Sequence, residues 1–211
     1  MRIRLPILAL ALLAAAPARA QTPAPADTAR DAWTDDALRR ELLEMGRVDQ
    51  EAREGLGAAF QAQDTVFLQR MMRVDSVHAA RMREILRTHG WPGSALVGRD
   101  AAHAAWLLVQ HGPLELQREA LPLIQTAGGA APSELAMLTD RIRVREGKPQ
   151  LYGSHADVVD GRLVPAPIED PERVHERRAA VGLPALEEYV RLLEEMYGIP
   201  VDRSRLPLRK P

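Results

Sequence analysis

Cysteine is absent from the 211-residue sequence. Its absence excludes disulfide bridges, a thiol nucleophile and lipid attachment through an N-terminal cysteine. The fold must therefore be held together by its core, and a chain of this length can bury enough apolar surface for one domain.

An excess of either charge is also missing, since 28 Lys and Arg residues stand against 29 Asp and Glu residues. This balance gives no electrostatic reason to expect nucleic acid or an anionic membrane as a partner. No apolar run reaches the roughly 20 residues that a membrane-spanning helix needs. We therefore expect no transmembrane segment in the mature chain, and the sequence leaves its partners unknown.

The first 20 residues have the pattern of a secretory signal peptide. Arg2 and Arg4 precede a short apolar run at residues 5–16, and an A-x-A motif ends at Ala20. This order of positive, apolar and small residues is typical of a leader that is cleaved on export. The sequence predicts cleavage after Ala20, a periplasmic or secreted mature protein, and a disordered Pro/Ala-rich spacer at residues 21–33.

Several motifs that identify enzymes are missing. The chain has no G-x-S-x-G motif, no H-E-x-x-H motif and no glycine spacing of a P-loop or dinucleotide-binding fold. We therefore predict no cofactor. A metal site would have to combine His103, His111 and His155, which do not share the one-turn spacing of helical zinc ligands.

The remaining pattern is helical apart from one segment. Apolar residues recur at helical spacing through most of residues 34–198, with Asp64 and Asp100 as predicted N-caps. The first helix is predicted to run from about Asp35 to near Leu56. Asp160-Gly161 between β-forming residues predicts a hairpin. The predicted fold is mainly α: a single-domain helical array around a central buried helix at about 101–111, with one β-hairpin at about 150–167 and a loose tail at 199–211.

The central helix has two unlike faces on a helical wheel. One face is apolar, and the other combines His103, Trp106 and Gln110, with His111 at its edge. In one interpretation this polar face meets solvent or makes structural hydrogen bonds. In the other it lines a cleft, because small-ligand pockets combine apolar walls with a few directed polar groups.

The next helix adds an amide to the same place. Gln117 lies within its apolar stripe, where a buried amide must find partners. The Gly112-Pro113 turn folds this helix back towards the central one. We expect Gln110, His111 and Gln117 to meet.

Further candidates lie on a later helix and at the start of the hairpin segment. Asp140 and Arg141 form either a semi-buried salt bridge or a site in which Asp140 orients His111 as a general base. Gln150 and Tyr152 are candidate binding residues beside them. Two other polar features are expected on the surface, namely His78 and a pair formed by Asp49 and Arg53 at i, i+4 spacing.

The chain also resembles a bacterial family that is known only as a domain of unknown function. The similarity covers about residues 38–192 and implies one domain without implying an activity. The motifs that carry it are Asp49-Gln50 with Arg53, His89-Gly90-Trp91-Pro92, Val97-Gly98, the segment AWLLVQH at 105–111, Gln117, LTDR at 138–141, Gly147, Gln150, Tyr152-Gly153, IED at 168–170, Arg177-Arg178 and Gly182-Leu183.

Three functional hypotheses follow. The first is an exported binding or structural module with a polar cleft that contains Trp106, Gln110, Gln117, Gln150 and Tyr152. The second is a cofactor-free hydrolase or transferase in which His111 is the general base and Asp140 orients it. The third is a metal-binding protein that uses His103, His111 and His155.

Overall fold

A computed structural model describes residues 33–208 of the chain. The predicted signal peptide, nearly all of the predicted spacer and the last three residues of the tail lie outside the described residues. Those predictions therefore remain predictions.

Helices make up most of the described chain. In order they are α1 (Asp36–Glu51), α2 (Leu56–Ala62), α3 (Thr65–His89), α4 (Ser94–Val97), α5 (Arg99–His111), α6 (Leu114–Ala127), α7 (Pro132–Arg145), α8 (Val174–Ala180) and α9 (Leu186–Tyr197). Strands β1 (Ala156–Val159) and β2 (Arg162–Pro165) lie between α7 and α8, and short 3-10 turns occur at Pro171–Arg173 and Arg203–Arg205. The predicted class, mainly α with one hairpin, is confirmed.

The hairpin forms where the Asp-Gly signal predicts it. β1 and β2 pair antiparallel, with Val159 opposite Arg162. Asp160 and Gly161 both have positive φ, 49° and 72°. A two-residue turn with both residues in this region matches the twist of the flanking strands, and Asp-Gly is among the few pairs that adopt it.

Helix α5 is central to the larger of two hydrophobic clusters, which draws its residues mainly from α1, α3, α5, α6 and α7. α1 packs closely against α5 because Gly46 faces Ala104, and a Cβ at Gly46 would lie 2.9 Å from the Cβ of Ala104. α1 therefore covers α5 as far as its own C-terminal turn, which holds Asp49.

The second hydrophobic cluster joins the hairpin to α9. It contains Leu56 and Phe60 of α2, Met71 of α3, Leu163 of β2 and several residues of α9 and the segment after it. Helix α7, by contrast, packs in the first hydrophobic cluster through Met137, Leu138 and Ile142.

Two segments differ from the sequence-based expectation. The first helix is expected to reach about Leu56, but α1 ends at Glu51 and α2 begins at Leu56, because Gly55 adopts a φ of 82° that a helix does not allow. Residues 199–206, expected to be loose, are packed: Val201 pairs with Leu163, and Ile199 and Val201 are buried. The exposed backbone of β2 gives this segment hydrogen-bond partners that its composition does not reveal.

Candidate functional site

A histidine and an aspartate meet where α1 crosses the end of α5. His111 Nδ1 lies 2.9 Å and 3.1 Å from the two carboxylate oxygens of Asp49. The Asp49 side chain is 1% exposed and the His111 side chain 9% exposed. Gln50 Nε2 donates a further hydrogen bond of 2.8 Å to the same carboxylate. The carboxylate that contacts His111, the predicted general base, is thus that of Asp49 on α1.

Arg53 links this pair to α3. Its guanidinium lies 2.9 Å from Asp49 and 2.6 Å from Asp75, and its side chain is 12% exposed. The pair formed by Asp49 and Arg53 is therefore largely buried rather than on the surface, because Asp49 faces His111 of α5 and Arg53 reaches Asp75 of α3. His78, one turn after Asp75, is also buried, so its predicted exposure is wrong.

The charge states of this group follow from burial and from Arg53. Burial works to raise the pKa of Asp49, but the contacts with His111 and Arg53 outweigh it and hold the pKa below its ordinary value. Burial, together with Arg53, lowers the pKa of His111. An ionised Asp49 can only accept, so Nδ1 of neutral His111 carries the proton. Nε2 then keeps its lone pair, the form that a general base requires.

Two glutamine side chains are fully buried beside His111. Gln117 Nε2 donates to the backbone oxygen of Gln110 at 2.9 Å and to that of Gly112 at 3.2 Å. The two helices therefore meet where the wheels predict. Among the described residues, however, Gln117 Oε1 and both polar atoms of the Gln110 side chain have no hydrogen-bond partner.

Arg141 on α7 is also fully buried, and its charge acts on His111. None of its three guanidinium nitrogens has a hydrogen-bond partner within residues 33–208. Burial, and then the neighbouring charges of Arg145 and Arg53, lower its pKa well below the ordinary value. Burying an unpaired charge costs roughly several kcal/mol, so Arg141 lowers the stability of the folded state.

Two contacts join α5 to α7 and define the seam between these helices. At one end of this seam, Trp106 Nε1 donates to the backbone oxygen of Glu134 at 3.1 Å. At the other end, Arg145 Nη1 donates to the backbone oxygen of Gly112 at 2.7 Å. The two helices thus run side by side in the same direction, and Gln110 and Arg141 lie between the two contacts.

We call this group of buried and half-buried polar side chains the polar centre. It lies where α1, α3, α5, α6 and α7 meet, and it is polar although hydrophobic clusters surround it. Its members are Asp49, Arg53, Asp75, His78, Gln110, His111, Gln117, Arg141 and Arg145.

Asp140 has a different role from the one predicted. Its carboxylate accepts hydrogen bonds from the backbone amides of Leu151, Tyr152 and Ser154, and from Ser154 Oγ at 2.9 Å. Within the described chain, the carboxylate in contact with His111 is that of Asp49, so neither the predicted pairing of Asp140 with His111 nor a salt bridge from Asp140 to Arg141 is formed. Burial outweighs these hydrogen bonds and raises the pKa of Asp140.

The loop that Asp140 holds also contains the other predicted binding residues. The Gln150 side chain donates to the backbone oxygens of His155 and Ala166 and accepts from the backbone amide of His155. The backbone oxygen of Tyr152 accepts from Arg178 Nη1 at 2.6 Å. Gln150 therefore ties the start of the hairpin to its end, and the loop is fixed from both sides.

Ser154 and His155 complete a short chain of hydrogen bonds to Asp140. Ser154 Oγ lies 2.9 Å from Asp140 and 2.8 Å from His155 Nδ1. Because the serine hydroxyl donates to the carboxylate, His155 Nδ1 must donate to the serine. The serine then stands between acid and histidine, whereas nucleophilic catalysis needs a histidine base free to take the proton from the serine.

Trp106 and His103 form a separate contact at the other end of α5. Their rings stack with centroids 5.6 Å apart, and His103 Nδ1 lies 2.6 Å from the carboxylate of Glu134. Trp106 is fully buried and packs in the first hydrophobic cluster. The structure thus assigns these two residues to the α5–α7 seam beside the polar centre.

The three histidines of the metal hypothesis are held apart. His103 contacts Glu134, His111 contacts Asp49, and His155 contacts Ser154. Within residues 33–208 no group of three or more His, Cys, Asp or Glu side chains is placed to hold a metal ion. The proposed set of ligands is therefore wrong.

Five members of the polar centre are not among the site residues that the sequence predicts, namely Asp49, Arg53, Asp75, His78 and Arg145. One signal does point to Asp49: it lies seven residues after Leu42, so it continues the apolar stripe of α1. A carboxylate in such a stripe indicates a buried partner. We find no comparable signal for Arg145.

The chain is thus a mainly helical domain built around a buried polar centre. It belongs to a family of unknown function, DUF6624, whose family model matches residues 36–202. The resemblance inferred from the motifs is confirmed. The comparisons with curated proteins and with solved structures each find no significant match. No helix within residues 33–208 is long and apolar enough to cross a membrane.

Proposed function

We propose that this protein is a small-molecule binding module and that its ligand site is the polar centre. The observation that carries the proposal is Arg141, a fully buried guanidinium without a hydrogen-bond partner among residues 33–208. Buried polar groups in folded proteins are almost always hydrogen-bonded, so an unsatisfied cluster needs an explanation. A ligand that accepts from Arg141 supplies one.

Two buried amides of the polar centre support the same proposal. Both polar atoms of the Gln110 side chain and Oε1 of Gln117 are unsatisfied within the described chain. Leu108, Val109 and Leu116, close to these amides along α5 and α6, belong to the first hydrophobic cluster. A few directed donors and acceptors within apolar walls form the usual composition of a small-ligand site.

The edge of the polar centre offers a route for the ligand. His111, Asp75 and Arg53 are partly exposed members of the polar centre, with 9%, 10% and 12% of their side-chain surface exposed. His111 lies at the end of α5, Asp75 on α3 and Arg53 in the turn after α1. We infer that a ligand reaches Arg141 past these side chains.

A fragment screen by NMR tests the proposal directly. The side-chain amide resonances of Gln110 and Gln117 report on the site, and the library should include neutral, cationic and anionic compounds. We expect at least one compound to shift both resonances saturably in the wild type, and the shift to disappear in R141M. If no compound of any charge class moves them, the polar centre is a structural network and the proposal fails.

Acid–base catalysis at His111 is a second candidate, favoured by the 2.9 Å contact with Asp49. Asp49 holds Nδ1 and leaves Nε2 at the partly exposed edge, which is the base-and-orienter arrangement. The test is hydrolysis of p-nitrophenyl acetate and p-nitrophenyl phosphate by wild type, H111N and H103N. Turnover lost in H111N and kept in H103N supports catalysis, and wild-type rates equal to the buffer rate count against it.

We further propose that the module works outside the cytoplasm. Support comes from Arg2, Arg4, the apolar run at 5–16 and the A-x-A motif that ends at Ala20. N-terminal sequencing of the protein recovered from the periplasm or medium of a bacterial host tests this. A mature N-terminus at Gln21 is expected, and recovery of uncleaved chain in the cytoplasm overturns the proposal.

A further inference from the structure

We infer that the polar centre recognises an oxyanion, either a carboxylate or a phosphate group, through the guanidinium of Arg141. This inference deepens the proposed function and rests on it. It concerns the chemical class of the ligand, which the proposal above leaves open.

The charges of the polar centre are unequal. Within residues 33–208 it holds the guanidiniums of Arg53, Arg141 and Arg145 and the carboxylates of Asp49 and Asp75. Arg53 contacts both carboxylates, at 2.9 Å and 2.6 Å, and His111 shares Asp49. Both carboxylates are therefore already paired with Arg53 and His111 at the edge of the polar centre. The positive charge of Arg141 is left without a paired carboxylate within the described chain.

The environment of Arg141 is itself cationic. The charged groups that act on it are Arg145 and Arg53. Tyr189 and Tyr197 also face it, and burial raises the pKa of Tyr197, so that side chain stays neutral. A neutral ligand would leave this charge without compensation, and a cationic one would add to the repulsion. An anion removes both penalties.

Arg145 is the cation that acts most strongly on Arg141. Its Nη1 donates to the backbone oxygen of Gly112, and the charges of Asp75 and Glu115 act on it in turn. Burial lowers its pKa as well, although its side chain reaches the surface more than that of Arg141 does. Arg145 thus already has an acceptor in Gly112, whereas the guanidinium of Arg141 has none within the described chain.

The geometry of a guanidinium narrows the class of anion. Its donors form a planar fork that matches two oxygens of a carboxylate or a phosphate at once. All three nitrogens of Arg141 are available for such a contact in the described chain. The amide nitrogen of Gln110 is also unsatisfied and adds one neutral donor. This set of donors suits an oxyanion better than it suits a halide.

Titration calorimetry with sodium acetate and with inorganic phosphate, at constant ionic strength set by sodium chloride, tests the inference and separates the two sources of an oxyanion. We expect saturable one-site binding of at least one of the two probes. Truncating one partner of a buried charged hydrogen bond weakens binding by roughly 30-fold or more, so R141M should lose the affinity by at least that factor.

The matched control is R87M. Arg87 is an exposed arginine on α3, and it lies nine residues after His78, or roughly 14 Å along the helix. R87M should bind the probe as the wild type does. Should R141M fail to fold, Q110L provides the second variant, with a several-fold weaker affinity expected because one neutral donor is lost.

The outcomes separate this inference from the proposed function. If neither probe binds saturably but a neutral or cationic compound shifts the Gln110 and Gln117 amides, the oxyanion inference is overturned and the binding module stands. If R141M binds the probe as tightly as R87M does, the anion site lies elsewhere and the inference is overturned. If no compound of any class binds, both fail.

Discussion

Asp140 and Arg141 are neighbours in the sequence, both are fully buried, and the fold treats them in opposite ways. The Asp140 carboxylate accepts from three backbone amides and one hydroxyl. The Arg141 guanidinium has no partner within residues 33–208. Successive residues of a helix point about 100° apart, so α7 directs one towards the hairpin loop and the other into the polar centre.

The difference shows which of the two polar groups serves the fold. Residues 151–154 have no helix or strand hydrogen bonds, and the Asp140 carboxylate accepts from the backbone amides of three of them. It thereby attaches the segment before the hairpin to α7. Arg141 attaches nothing in the described chain. A group that is costly to bury and contributes no contact is more readily explained by a ligand than by stability.

The largest effect is expected for Asp140→Ala. Three backbone amides and the Ser154 hydroxyl would lose their acceptor, which should lower the free energy of unfolding by about 3–5 kcal/mol. Urea unfolding followed by circular dichroism measures it. The matched control is D157N: Asp157 is half-buried on β1, burial raises its pKa, and its replacement should change stability by less than about 0.5 kcal/mol. A loss below about 1 kcal/mol in D140A would show that the loop is held by other contacts.

The next largest effects should have opposite signs at two buried arginines. R141M removes an uncompensated charge and should raise the free energy of unfolding, without ligand, by about 1–3 kcal/mol. R178M should lower it by about 2–4 kcal/mol, because Arg178 donates to the backbone oxygens of Pro184 and Tyr152 and lies over the Tyr189 ring. The same urea titrations compare them. A destabilised R141M would mean that Arg141 has a structural partner after all.

A pH dependence of intermediate size should come from the buried histidines. Burial lowers the pKa values of His78, His111 and His155 below the ordinary value of 6.5, that of His155 most strongly. Below pH 6.5 the unfolded chain then binds more protons than the folded one. The free energy of unfolding is therefore not reduced by these histidines above that pH, and it falls on acidification by up to about 1.4 kcal/mol per pH unit for each histidine. Urea unfolding at pH 7, 6 and 5 measures the slope.

His78→Leu is the control for that slope. It removes one buried histidine whose Nδ1 has no partner among the described residues. Stability at pH 7 should be nearly unchanged, and the loss between pH 7 and pH 5 should become smaller. An equal slope in wild type and H78L would assign the pH dependence to other groups.

The smallest effect is expected at the far end of the α5–α7 seam. Trp106→Phe loses the 3.1 Å hydrogen bond to the backbone oxygen of Glu134 and should lower the free energy of unfolding by about 1–2 kcal/mol. Because Trp106 lies beside the polar centre and not in it, acetate and phosphate affinity should stay at the wild-type value. A loss of anion affinity in this variant would show that the anion site also includes Trp106, further along α5.

Local patterns were enough to predict most of the secondary structure. The Asp160-Gly161 turn, the Asp64 cap and the apolar spacing of the central helix each depend on neighbours within a few residues. The meeting of Gln110 with Gln117 was also predictable, since a two-residue turn joins their helices. The partner of His111 was not, because Asp49 lies 62 positions away and many carboxylates compete for the role.

The amino-acid sequence by itself determined the class of fold, the hairpin and the presence of unusual polar residues on apolar helix faces, because propensity and periodicity act over short distances. Only the tertiary structure decided what those residues do. Asp140 and Arg141 are adjacent in the sequence. Their roles separate because α7 directs one side chain to loop amides that need an acceptor and the other towards further arginines. That distinction depends on which distant segments fill each direction, and no local rule specifies them.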